Sequence, residues 1–361
     1  GQEKRLLAKV DEESHWLAEH VLWVRSTGMI GTQPGTFVNS ALMLLDRKTW
    51  HRIGGILWQD LSRYHWGWGI SILSLMLLLV LRRRAKRRIR ILGEFAARSN
   101  CVEMMPTLKA MLLTIFVALP FPIAMCFLGI RIEGVSDGEN TLQAFGIALQ
   151  ITAAAWLVME LVRQIAQPDS IGDSHFEWAE TSMTSLRRTM RLTAVALLPA
   201  LLVVAYTESL GDDEMISSVG RLAYLLTMGW AGFAAFRLVR PDSPILQALE
   251  NEHSHDLLWR TRWGWTGILL CSPIVLSGLS VAGFHYTAVQ LTNRVAATIG
   301  CGLVALTITA FLSRWLLMSY RKLAIQRGRE RRRQMLLAAQ ADPDQPIPQD
   351  ATPELRLADI N

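Results

Sequence analysis

A chain of 361 residues would ordinarily make two soluble domains, but 51% hydrophobic and only 19% charged residues exclude a disordered chain, which needs low hydrophobicity and high charge. Four cysteines are too few for a disulfide-built secreted fold. The net charge of +6 is one a nucleic-acid binder could share, yet the basic residues here cluster beside long apolar runs, as membrane proteins require.

In chain order, residues 3–24 (EKRLLAKVDEESHWLAEHVLWV) read as an amphipathic helix with Leu6, Val10, Leu17, Val21 and Val24 at helical spacing. A Gly/Pro-marked loop, Ser26 to Thr36, follows. Thr36 to Trp58 reads as a second helix interrupted by Gly54 and Gly55. Its Trp50, Ile53, Ile56 and Leu57 suit either a position along the outer headgroup layer or packing against a periplasmic neighbour outside this sequence.

Seven stretches then meet or approach the roughly 20 apolar residues that a membrane-crossing helix needs. They run from Trp66 to Leu81, Thr107 to Ile130, Leu142 to Val162, Leu192 to Tyr206, Val219 to Phe236, Gly264 to Phe284 and Arg294 to Met318. Helices are the only sensible assignment, because an open strand leaves its backbone groups unpaired in lipid. The fold class is therefore all-α: a polytopic transmembrane helical bundle of about seven spans, with periplasmic amino-terminal helices and a cytoplasmic carboxy-terminal linker. The expected divisions are a periplasmic or interfacial segment at 1–65, a membrane domain at 66–320, a basic helix at 321–341 and an acidic, Pro-rich linker at 342–361.

Loop charges give the direction. RRRAKRRIR (Arg82 to Arg90) follows the first span, and Arg163, Arg187, Arg188, Arg191, Arg237, Arg240, Arg260 and Arg262 fall on the same side. The opposite loops carry Glu133, Asp137, Glu139, Asp212, Asp213 and Glu214. The positive-inside rule puts the amino terminus outside and the carboxy terminus in the cytoplasm of a bacterial inner membrane. The chain starts at Gly1 without a signal sequence and stops at Asn361 in linker composition, so it reads as a piece of a longer protein.

Chemistry is sparse. No HExxH, GxSxG, phosphate-binding glycine loop or paired intramembrane Asp is present, and no catalytic, cofactor or metal residue is assigned. Glu160, Lys109 and Arg294 fall near span ends, where side chains reach the interface. His175 beside Phe176 and Trp178 suits interfacial packing. His253 and His255 lack further ligands at defined spacing, and Cys101, Cys126, Cys271 and Cys301 suit small packing roles. Two sets of candidates remain. Arg82, Arg83, Arg84, Lys86, Arg87 and Arg88 are candidate contacts for anionic lipid, with topology determination as the plainer reading. Pro120, Pro122, Pro199 and Pro273 are candidate helix kinks. Small residues four apart, at Ala231 and Ala235, Gly278 and Ala282, and Ala296 and Gly300, suit close helix approach.

The order of these features carries a resemblance. EHVLWVRS (Glu19 to Ser26) is followed by a Trp-rich entry and a span closing on RRRAKRR, then by a multi-span region with DSHFEW (Asp173 to Trp178), and finally by a basic helix and a linker ending LADIN (Leu357 to Asn361). This arrangement resembles the inner-membrane domain of the large, multi-span members of the small-conductance mechanosensitive channel superfamily, of the MscK and MscM type. The resemblance implies a signal peptide, a periplasmic helical region and one further span after Asn361. It also implies a channel core of three spans and a vestibule, and assembly as a heptamer through that core. Partners would be membrane lipids and copies of the same chain. The Gly/Ala-rich pore helix of the family has no counterpart here, so no pore residue is assigned. The resemblance implies a peripheral, tension-sensing domain of a channel releasing ions and small osmolytes. A seven-span sensory receptor, and a transporter, are the competing readings.

Overall fold

The computed structural model describes residue 42 and residues 47–96, 104–136, 138–174, 178–240, 242–244, 247 and 262–341. The amino-terminal helix at 3–24, the pairs His175/Phe176 and His253/His255, Cys101 and the terminal linker lie outside the described residues. Within them the chain is helical throughout, without strands.

Helix α1 (Arg47–Arg63) leads through Tyr64 into α2 (His65–Ala96). α3 (Met105–Ala118) and α4 (Pro120–Gly134) follow as a bent pair. Next come α5 (Asn140–Ile165), the short α6 (Ile171–Ser174) and α7 (Glu180–Leu210). α8 (Asp213–Met215) passes through a π-helical turn, Ile216–Gly220, into α9 (Arg221–Val239). α10 (Arg262–Val281) and α11 (His285–Ala341) complete the order. Among the described residues six helices are long and apolar enough to cross a bilayer, and the count is seven if the bent pair is one span.

Local chemistry explains where the elements differ from simple apolar runs. The basic segment Arg82 to Arg90 continues α2 instead of leaving the helix, because Leu, Arg and Lys are good helix formers and nothing before Gly93 interrupts them. α1 likewise runs through Gly54 and Gly55, since a glycine weakens a helix by about 1 kcal/mol without ending it. The expected second span is broken: α3 and α4 meet at 47° around Leu119. Pro120 and Pro122 lack N–H groups and cannot bond the carbonyls one turn back, and Ile123 N–H restarts the ladder on Leu119 O at 2.9 Å. α7 ends at Gly211, whose φ of 69° suits a residue without Cβ. Asp212 then caps the next helix, its carboxylate accepting from Glu214 N–H at 2.9 Å. The seventh span and the basic helix are one 57-residue helix, α11, about 85 Å long at 1.5 Å per residue.

Packing proceeds between successive helices. Ala85 and Ile89 of α2 bury against Val117, with Leu113 and Phe116 of α3 alongside. Ile132, Leu142 and Leu149 join α4 to α5, with Leu202 of α7 beside them. Val204, Ala223, Tyr224, Met228, Leu276 and Ala288 tie α7, α9, α10 and α11 together. α1 packs within this same chain: Ile53, Ile56 and Leu57 lie against the α4–α5 cluster, and Trp50 meets Phe145 edge-on at 5.6 Å.

Close helix approach does not fall at the glycines of two expected small-residue pairs. A Cβ added at Gly278 or Gly300 would meet nothing within 4 Å. The tight crossing is between α4 and α5, where a Cβ on Gly129 would sit 2.6 Å from Gly146 O, and one on Gly146 would sit 2.7 Å from Gly129 O. Here two backbones touch, which only glycine permits.

Candidate functional site

The chemistry-bearing side chains gather in two clamps, one at each end of the span region. At the basic end the sequence of α5 places Glu160, Arg163 and Gln164 on one helix face, by the i, i+3, i+4 rule. The Glu160 carboxylate is buried. It accepts from Arg163 Nε at 2.7 Å and Nη2 at 2.5 Å, and from Gln164 Nε2 at 2.5 Å. Arg82 reaches it from α2, Nη2 to Oε1 at 3.0 Å. The guanidinium of Arg82 also lies 5.1 Å from the Phe121 ring centroid, and Phe121 stacks on Trp156 at 5.9 Å. One carboxylate therefore joins α2 to α5, with the bent pair packed beside it. Below it Arg90 Nε lies 3.4 Å from Asp169 Oδ2, an exposed pair of small energetic weight.

At the acidic end Asp60 of α1 takes the corresponding role. Its carboxylate accepts from Trp68 Nε1 at 2.8 Å, from Arg131 Nε at 3.0 Å and from Arg131 Nη2. The fork geometry of two parallel N–H···O bonds is the strong form of this pairing. Arg131 also stands 5.3 Å over the Tyr64 ring. Burial raises the Asp60 pKa, but the hydrogen bonds from Arg131 and Trp68 and the Arg131 charge outweigh it and hold the carboxyl below the usual value. Next to this clamp Gln150 Nε2 donates to Glu133 Oε2 at 2.5 Å, beside the glycine crossing. Arg52 Nη1 lies 2.7 Å from Glu139 Oε1.

A third polar group sits at the α10–α11 corner. His285, the first residue of α11, is buried, with Nδ1 2.9 Å from Ser280 Oγ and Nε2 3.2 Å from Glu208 Oε1. The Tyr224 ring meets the imidazole edge-on at 5.2 Å, and its hydroxyl pairs with Thr292 Oγ1 at 2.7 Å. Glu208, Tyr224 and His285 belong to three different spans, so this group pins the corner to the bundle.

Between these clamps the outward surface is apolar. In the most apolar stretches of α2 and α11 no residue is buried. Ile70, Leu73, Met76 and Leu77 of α2, and Val304, Leu306, Ile308 and Leu312 of α11, are all exposed. The two helices stand at opposite ends of the order of packing, so the unburied surface belongs to the flanks of the domain.

The candidates read from sequence separate into distinct environments. Arg82 is committed to Glu160, whereas Arg83, Arg84, Lys86, Arg87 and Arg88 are exposed. Ala85 and Ile89 occupy the buried face of the same turns, so the basic run is amphipathic. Pro120 stands at the bend and Pro122 within the first turn of α4, both buried. Pro199 and Pro273 lie inside continuous helices, Pro273 facing Gly232 across the α9–α10 contact. Cys126 is half-buried, while Cys271 and Cys301 are exposed. The residues that sequence reasoning missed are Asp60, Arg131 and the inward role of Glu160. The usable signal for Glu160 was its i, i+3, i+4 set within an otherwise apolar helix. Among the described residues no three His, Cys, Asp or Glu side chains gather as for a metal ion.

What the arrangement does is hold helix ends at fixed points while leaving apolar flanks outward. The sequence matches the family described as mechanosensitive ion channel inner membrane domain 1 over residues 65–361. It is 26% identical over 238 residues to the miniconductance mechanosensitive channel MscM of Escherichia coli (strain K12), an alignment that covers 64% of this chain and 20% of that protein. The chain thus aligns with about a fifth of the length of that curated relative. No solved structure matches.

Proposed function

The chain belongs to the mechanosensitive ion channel inner membrane domain 1 family, a family of channels and not of enzymes, and from that premise we propose that it is the peripheral, tension-sensing membrane domain of such a channel. The channel releases ions and small osmolytes when the bilayer is stretched, through a pore formed by other parts of the longer protein. The amino-terminal side faces the periplasm and the basic helix ends face the cytoplasm, as the Arg-rich and acidic ends direct. Residues 1–65 form the periplasmic or interfacial segment, 66–320 the membrane domain, and 321–341 the basic helix that couples through the 342–361 linker to the channel core. The protein self-associates through that core as a heptamer. Membrane lipids cover the apolar flanks, and the exposed basic side chains of Arg83, Arg84, Lys86, Arg87 and Arg88 contact anionic headgroups. Family membership favours this reading over a sensory receptor.

The observation that carries the proposal is the contrast between clamped ends and uncovered flanks. Tension selects the conformer of larger in-plane area, and it shifts the equilibrium only through a difference between states. Glu160 and Asp60 hold α2 to α5 and α1 to α4, so force on the flanks of α2 reaches the bent pair through fixed points. The 47° break at Leu119 and the prolines supply places where helices change angle without breaking a hydrogen bond. α11 carries displacement at its membrane end to its basic end, about 85 Å away.

The test is a pressure ramp on membrane patches containing the protein at its natural length. Asn in place of Leu306, Ile308 and Leu312 on the exposed face of α11 removes apolar lipid contact there. The opening pressure is expected to rise. An unchanged threshold with normal protein levels in the membrane removes α11 from the sensing surface.

A further inference from the structure

One basic cluster has no acidic counterpart among the described residues that line it. Arg82, Arg131 and Arg163 each face a carboxylate. By contrast, a cleft of about 520 Å³ between α7 and α9 is lined by Arg188, Arg237 and Arg240, and no carboxylate is among its lining residues. Three like charges facing one hollow repel one another, and an anion between them turns that repulsion into attraction.

The geometry of the two helices makes the cleft a shaped site. Thr181, Thr184, Ser185 and Arg188 fall at i, i+3, i+4 and i+7 on α7, so three hydroxyls and a guanidinium share one face. On α9 Phe233 and Phe236 precede Arg237 and Arg240 by four residues each, so two rings lie above two guanidinium groups on the facing side. The floor is fixed: Ser182 Oγ donates to Pro244 O at 2.9 Å, and Ser243 N–H donates to Arg240 O at 2.8 Å. The sequence order thus grades the cleft from polar at the helix ends to apolar within the span.

We propose that this cleft binds an anionic phospholipid, with the phosphodiester among Arg188, Arg237, Arg240 and the hydroxyls, and an acyl chain along Phe233 and Phe236. Guanidinium forks suit phosphate oxygens. The rings select the source of the phosphate. Phe233 and Phe236 are 45% and 55% exposed, and both helices are long and apolar enough to span a bilayer, so their surroundings are lipid chains. A soluble phosphate would leave that apolar mouth unused. The inference rests on α7 and α9 being spans and not on tension sensing.

The test is lipid retention by the detergent-solubilised full chain, read by native mass spectrometry during titration with phosphatidylglycerol or phosphatidylcholine. Phosphatidylglycerol is expected to bind in preference, and each arginine removed should weaken it by roughly fivefold. The R188Q/R237Q/R240Q variant is therefore expected to lose about a hundredfold, and R240Q alone, at an exposed position, about fivefold with an unchanged melting profile. The F233A/F236A variant is expected to weaken phosphatidylglycerol several-fold while leaving competition by inorganic phosphate unaltered. Equal retention of phosphatidylcholine would overturn the proposal, as would full retention of phosphatidylglycerol by the triple variant. Insensitivity of lipid binding to the Phe substitutions, with inorganic phosphate displacing it, would reassign the cleft to a soluble anion and overturn it too. Because retention in detergent is blind to gating, none of these outcomes bears on the channel reading.

Discussion

Replacing Glu160 by Gln keeps the shape of the α2–α5 clamp and removes its charge. The wild-type carboxylate, 7% exposed, faces Arg82 and Arg163 at 14% and 24% exposure. Breaking a buried ion pair on one side costs about 3–5 kcal/mol because the other charge is left unmatched. Partial exposure of both arginines moves the expectation to the lower end, about 3 kcal/mol, or roughly a hundredfold in the unfolding equilibrium. Gln can still accept one hydrogen bond, but its amide N–H₂ faces donors. Reversible unfolding by SDS in mixed micelles, followed by helix content and by Trp fluorescence, reads this change. Removing Arg82 instead leaves Glu160 with Arg163 and Gln164, so R82Q should cost about 1 kcal/mol. The double variant R82Q/E160Q should then be less destabilised than the sum of the singles by about 1 kcal/mol or more. A loss below about 0.5 kcal/mol for E160Q, or additivity of the two substitutions, would refute the reading of Glu160 as the shared anchor.

Three other outcomes follow from the geometry. G146A puts a methyl group 2.7 Å from Gly129 O, and the overpacking should destabilise by about 1–3 kcal/mol in the same assay; a neutral result would show that α4 and α5 do not cross at these glycines. The lowered pKa of Asp60 means that the unfolded state binds the proton first, so its stabilisation is fully present above the unfolded value of about 3.8. It is lost as pH falls through the lower folded-state value. SDS unfolding between pH 5 and 3 should show this loss in the wild type, and D60N should flatten it. P120A returns one N–H to the bent pair and should straighten it, read as a longer distance between spin labels at exposed positions 108 and 130; an unchanged distance would assign the bend to packing around Leu119 instead.

The spans were legible in the sequence because the signal is one-dimensional: about twenty apolar residues suffice for a crossing. The joints were less so. Pro120 and Pro122 were visible as kink residues, but whether they break a span depends on the neighbours, and Pro199 and Pro273 sit in helices that continue. The basic run after Leu81 looked like a loop by charge alone, although its residues favour helix and Ala85 and Ile89 find a buried face on α3.

The clamps were illegible for a different reason. Asp60 and Arg131 are 71 positions apart and Arg82 and Glu160 are 78 apart, so only the relative height of non-adjacent helices brings them together. Small residues at fourfold spacing were equally ambiguous. The spacing occurs at Gly278 and Gly300, which face open space, while Gly129 and Gly146 make the contact from separate helices. A repeat within one helix permits close approach, but the partner decides where it happens.

The most direct measurement for the central claim is the pressure–open probability curve of the protein at its natural length, compared with the same protein lacking residues 65–341, in patches where both remain in the membrane and still open. If these helices gather bilayer tension for the pore, their removal moves the midpoint pressure and makes the curve shallower. Coincident midpoints and slopes for the two proteins would contradict the account.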